Sequence, residues 1–181
     1  MNFIDEETYK IQVDLYNTYL ENLKNLVPDI ETKEKIIENI DTYPLAIRDD
    51  ILFNLGGVLN HERYFKSIAT DKTNPTETLS EKIKKDFGSI SSLEKEIMEK
   101  SLYLKGSGYV NLVLDNNKNL KVITTSNEDL PEYYGFKTLM TIDLWEHAYF
   151  LKYKLNKYDY IKELLEHINY SYISKIYEEK I

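Results

Sequence analysis

The sequence predicts an α+β protein: a long N-terminal helical hairpin, then a C-terminal domain of helices around a three-stranded antiparallel sheet. Three observations predict it. Apolar residues recur at helical spacing through residues 5–104 and again after 145. Between those stretches, residues 106–143 carry three short apolar runs, two of them joined by Asp115-Asn116-Asn117, a hairpin signal. The polar segment TDKTNPT, 70–76, separates the halves, giving domains 1–75 and 76–181.

The first helix spans 5–26. Ile11, Leu15, Tyr19, Leu23 and Leu26 form its stripe, Asp5 caps it and Pro28 ends it. Residues 31–40 hold a short helix or loop, broken at Tyr43-Pro44. A third helix, 46–69, carries Ile47, Ile51, Leu55, Val58, Leu59, Phe65 and Ile68. Gly56-Gly57 lies inside it at a cost of about 1 kcal/mol per glycine against alanine, which points to a close approach onto the backbone. Helices at 77–86 and 89–104 follow, the second capped by Ser89. Strands are expected at 107–115, 119–125 and 136–143, and 145–180 reads as helical and rich in tyrosine.

Composition narrows the function. With 23 basic against 31 acidic residues the net charge is −8, a poor match to phosphate backbones or anionic lipid, so neither nucleic acid nor membrane is an expected partner. The absence of cysteine removes disulfides, zinc ribbons and thiol nucleophiles and fits a cytoplasmic address. The N-terminal MNFIDEETYK lacks the features of a signal peptide, and no apolar run approaches a membrane span. The sequence contains no phosphate-loop, dinucleotide-binding or nucleophile-elbow motif.

The chain has three histidines. His61 lies on the third helix in LNHERYF. His147 follows Asp143 by four residues in DLWEHAYF, and Glu163 stands in the same relation to His167, so spacing alone does not distinguish a metal pair from an ordinary acid–histidine pair. Two imidazoles and a carboxylate suit iron or manganese better than calcium or magnesium, and with open positions they can support redox or oxygen chemistry.

The stretch from Asp143 through Trp145, Glu146, His147, Ala148 and Tyr149 to Tyr153 resembles the D-x-W-E-H-A-Y-Y signature of the iron/manganese superoxide dismutases. ENLKNL at 21–26, GGVLNHERYF at 56–65, FGSISSLEKEI at 87–97 and GSGYVNLVLD at 106–115 resemble further blocks of that family in the same order. The resemblance implies one Fe or Mn per chain, held by His61, Asp143 and His147. It implies superoxide as substrate and Tyr19 as the gateway tyrosine. It also implies a homodimer in which Glu146 reaches the partner's His147, with Trp145, Tyr149 and Tyr109 around the metal or the interface.

The departures are specific. The family's first ligand, a histidine on the first helix, is missing. Counting back from Tyr19 gives Ile11, and counting forward from the start gives Gln12. A second first-helix histidine, which bonds across the dimer, is replaced by Leu15 or Tyr16. Tyr109 and Asn111 stand where the family has tryptophans, and Glu128 where manganese members carry glutamine. Two functions remain: a dismutase with a weakly held metal and impaired activity, or a non-catalytic, metal-poor homologue with a structural role. A mononuclear iron site for other oxygen chemistry is a third reading.

Overall fold

The computed structural model describes residues 3–28 and 32–181. Met1 and Asn2, and the start of the short helix expected from residue 31, lie outside the described residues. Helix α1 runs Glu6–Leu26, with the Asp5 carboxylate accepting from Thr8 N at 2.7 Å. A short α2, Lys33–Glu38, leads into α3, Leu45–Ser67, which lies along α1. Leu23 of α1 packs with Ile51, Leu55, Val58 and Leu59 of α3, and Leu130 closes this cluster from the second half. Fully burying a leucine- or isoleucine-sized side chain stabilises by about 1.5–3 kcal/mol.

Helix α3 ends two residues earlier than the pattern suggests. Ile68 is extended and forms a bridge with Ile168, and Ala69 N donates to the His167 carbonyl at 2.8 Å. This pairing outcompetes a further helical turn and ties the hairpin to the C-terminal region.

Helices α4, Glu77–Phe87, and α5, Ile90–Tyr103, follow, the latter capped by Ser89. The strands are β1 Gly108–Leu114, β2 Leu120–Ser126 and β3 Lys137–Asp143, all antiparallel in the order β2-β1-β3. At the β1–β2 turn the Asp115 carboxylate accepts from Asn117 N and Asn119 N, as an aspartate in a turn does. The central strand is buried throughout. Its one buried amide is satisfied on both sides: Asn111 donates to Thr125 Oγ1 at 3.2 Å and accepts from Thr141 Oγ1 at 2.8 Å.

The helical reading of 145–180 is corrected in part. A 3₁₀ turn at Glu146–Ala148 precedes α6, Phe150–Tyr153, a single turn that stops at Lys154 with φ 53°. Helices α7, Lys157–Leu165, and α8, Tyr170–Lys180, follow, separated by the Ile168 bridge. Their apolar faces join the sheet and α4–α5 in the larger core. Among the described residues no helix is long and apolar enough to cross a membrane.

Candidate metal centre

Three elements meet where β3 ends. Asp143, its last residue, is fully buried, and its position is fixed from two directions. Its Oδ1 accepts from Trp145 N at 2.9 Å, and its backbone carbonyl accepts from the Tyr160 hydroxyl at 2.9 Å. Tyr160 in turn bonds the Tyr64 hydroxyl at 3.2 Å. The 3₁₀ turn that follows swings His147 back so that its Nε2 lies 3.1 Å from Asp143 Oδ2. From the other side, α3 delivers His61, also fully buried.

One ligand atom from each of His61, Asp143 and His147 lies within 4.8 Å of the others. A metal with donors at about 2.1 Å spans at most about 4.2 Å between opposite ligands, so the three atoms lie slightly wider than one coordination shell and would draw in around an ion. The His61 and His147 rings lie 5.7 Å apart and nearly parallel. The second acid–histidine pair behaves differently: His167 Nδ1 faces the Thr70 carbonyl at 2.7 Å, and Glu163 bonds Lys152 and Tyr153.

Protonation follows from the partners. Gly57 O lies 2.7 Å from His61 Nδ1, so Nδ1 carries the proton and the lone pair is on Nε2. That Nε2 is buried with no partner. Burial pulls the His61 pKa down, which keeps the ring neutral and able to ligate. For His147 burial acts in the same direction, but the charge of Asp143 and its hydrogen bond outweigh it, and the net shift is upward.

Of the two first-helix candidates, Gln12 is the one that reaches Asp143. Gln12 is fully buried and its Nε2 donates to Asp143 Oδ2 at 3.2 Å. Ile11 is only half-buried. Gln12 and Tyr19 are seven residues apart, close to two turns of 3.6, so they align on one face more closely than Ile11 and Tyr19 do. Gln12 Oε1 is buried without a partner. Of the two candidates for the lost second histidine, Tyr16 donates to Glu62 Oε1 at 3.0 Å, and Leu15 is half-buried.

Beside His61, Asp143 and His147 lies a carboxyl flanked by phenols. Glu128 is nearly fully buried; Tyr109 donates to its Oε2 at 2.8 Å and Tyr19 to its Oε1 at 3.2 Å. Asn60 Nδ2 adds contacts to the Glu128 backbone carbonyl at 3.3 Å and to Oε2 at 3.4 Å. Burial pushes its pKa up to about 7, with the charge of Asp143 adding to the rise and the hydrogen bonds from Tyr109, Asn60 and Tyr19 opposing it. Tyr19 and Tyr109 are both raised, by burial first and by the neighbouring carboxyls second.

The glycine pair in α3 makes this approach feasible. A Cβ on Gly56 would sit 1.8 Å from the Glu128 carbonyl oxygen, and one on Gly57 2.3 Å from the Tyr19 ring. The segment carrying Glu128 is pinned to α3 by the Arg63 fork on Glu132, at 2.9 and 3.0 Å, and by the Tyr133 hydroxyl on the Leu52 carbonyl at 2.9 Å. Sequence reasoning anticipated an approach onto the glycines without naming its source. It also missed Tyr64 and Tyr160, which hold the Asp143 backbone; only the abundance of tyrosine hinted at them.

The remaining expected residues are near but differently engaged. Trp145 stacks on His147 at 5.7 Å, with its Nε1 buried and unpartnered. Glu146 is exposed and accepts from Ser107 Oγ at 3.2 Å. Tyr149 stacks on Tyr160 at 5.2 Å.

The family model for iron/manganese superoxide dismutases, C-terminal domain, matches residues 75–176, more than half of the chain. The chain belongs to the iron/manganese superoxide dismutases. The match contains Asp143, His147 and Glu128, while His61 and Gln12 lie ahead of it. A metal cofactor therefore belongs to the fold family, and the donor set here fits one. Two imidazole nitrogens and a carboxylate suit iron or manganese. Among the described residues His61 Nε2 and Gln12 Oε1 are buried acceptors without a donor, as are Asn60 Oδ1 and Thr8 Oγ1. A buried acceptor left unpaired costs about 1–3 kcal/mol, and a cation relieves that cost.

Proposed function

We propose that this protein is a metal-dependent superoxide dismutase with reduced metal retention, converting two superoxide ions and two protons into oxygen and hydrogen peroxide. The observation that carries the reading is the convergence of His61, Asp143 and His147 with an unpaired lone pair on His61. A chain serving only as scaffold gains nothing from keeping that lone pair buried, and this weighs against the non-catalytic alternative.

His61, Asp143 and His147 would hold the ion. When bound, iron or manganese supplies one-electron chemistry by alternating between the +3 and +2 states. The protein's further task is proton supply, because peroxide takes up two protons. Glu128 fits that role: with a pKa near 7 it holds or releases a proton at neutral pH, while Tyr19 and Tyr109 orient its two oxygens. Tyr19 is half-buried and holds Glu128 Oε1 with its hydroxyl. Tyr160 and Tyr64 keep the Asp143 backbone in place while its carboxylate serves the ion.

Gln12 is the reason to expect impairment. An amide is a weaker donor than imidazole for a redox metal. Gln12→His should raise bound Fe or Mn and dismutation together, whereas Ile11→His should raise neither, because residue 11 faces away from the site. Unchanged metal and activity in Gln12→His, with the protein folded, would defeat this reading of the defect.

The same reading divides the chain into 1–75 and 76–181 and makes the active form a homodimer. The exposed Glu146, beside Trp145 and His147, is available to meet the partner's His147 across a two-fold. Light scattering at micromolar concentration tests this, and a monomer would count against it.

A further inference from the structure

We propose that Gln12 is a metal ligand through Oε1, and that the resulting set of two nitrogens and two oxygens makes the site selective for manganese(II). The inference rests on the dismutase reading and names which ion that site takes.

Gln12 does not simply fill space left by a lost histidine. A leucine or isoleucine would pack there without a polar atom to satisfy. Its side chain is instead fully buried, with Nε2 held on Asp143 Oδ2 at 3.2 Å. The oxygen of the same amide is buried and has no donor among the described residues. His61 presents the same feature from the facing helix: its Nδ1 is engaged by Gly57 O at 2.7 Å and its Nε2 is buried and unpaired. Two acceptors without a donor among the described residues, together with a carboxylate and a second imidazole, form a set of lone pairs that a cation would satisfy.

Selectivity follows from donor chemistry. Along the series Mn, Fe, Co, Ni, Cu the affinity of nitrogen-rich sites rises steeply, so an imidazole at position 12 would favour every later ion over manganese. Carbonyl and carboxylate oxygens suit manganese better. Exchanging one imidazole for an amide oxygen therefore lowers affinity for iron and zinc more than for manganese.

The test uses the full-length protein stripped of metal. Mn²⁺ binding is read from the paramagnetic resonance of the free aqua ion, and Fe²⁺ (without oxygen) and Zn²⁺ are measured by competition. Gln12→Leu is expected to weaken Mn²⁺ binding about 10-fold or more. Gln12→His is expected to raise the Fe²⁺-to-Mn²⁺ and Zn²⁺-to-Mn²⁺ affinity ratios by a similar factor. Gln12→Glu keeps an oxygen donor and should retain Mn²⁺, so the test stands even if the leucine variant misfolds. Equal Mn²⁺ affinity in wild type and Gln12→Leu, or affinity ratios unmoved by Gln12→His, would overturn the proposal and leave the dismutase reading intact. A wild-type protein that takes up neither Mn²⁺ nor Fe²⁺ would overturn both.

Discussion

Glu128→Gln removes a buried carboxyl whose ionisation the fold resists. Burial, reinforced by the charge of Asp143, carries Glu128 from 4.5 to about 7 despite donated bonds from Tyr109, Asn60 and Tyr19. At about 1.36 kcal/mol per unit, that shift corresponds to about 3 kcal/mol. The folded pKa is raised, so the native state binds this proton more tightly than the unfolded chain does. The contribution is fully present below pH 4.5 and is lost as pH rises through about 7. Glutamine is neutral throughout and loses nothing. It also keeps one acceptor and one donor for the two phenols, so any change in hydrogen bonding is the same at every pH. Urea denaturation of the metal-free proteins between pH 4.5 and 8 reads the effect. The stability of Glu128→Gln relative to wild type should rise by about 3 kcal/mol across that range, mostly between pH 5 and 7. A difference that stays flat, or falls with pH, would refute the placement of an ionisable proton on Glu128.

Further outcomes follow from the same contacts. Tyr109→Phe deletes the donor 2.8 Å from Glu128 Oε2, a bond that favours the ionised form, so the pH window of stability loss should move upward; a downward move in the same denaturation series would contradict this. Gly56→Ala should destabilise strongly, by about 3 kcal/mol or more, although alanine is normally the better helix former by about 1 kcal/mol, because its Cβ would meet a backbone carbonyl. Gly57→Ala should cost less, since the Tyr19 ring can move, and it should alter the Tyr19–Glu128 contact; thermal melts rank the two variants. Asp143→Asn should reduce metal uptake at least 10- to 100-fold, read by metal analysis after dialysis.

Much of this architecture is legible locally. Asp5 and Ser89 announce their helices because an N-cap acts within three residues. The Asp115 turn and the strands flanking it follow from short-range chemistry and alternation. His61, Asp143 and His147 emerge from a motif and a spacing. The rest depends on contacts far apart in the chain. Gly56 meets Glu128 and Gly57 meets Tyr19 across long stretches of chain, so the glycines signal an approach but not what approaches. Ile11 and Gln12 differ by one residue of helical rotation, and that Gln12 is the one buried against Asp143 is not visible in a linear count. The break between α7 and α8 arises at the Ile68–Ile168 bridge, a pairing between residues 100 positions apart. Tyr160 bonds a backbone carbonyl, so its sequence context carries no specific mark of that role.

The central claim is that this chain still holds a redox metal on His61, Asp143 and His147. Elemental analysis of protein produced with iron and manganese in the medium, and purified without chelator, tests it most directly. The account predicts bound iron or manganese in the wild type, below one ion per chain, and none above background in a folded His61→Ala, His147→Ala double variant. Absence of both metals from the wild type, or equal metal in the double variant, would contradict it.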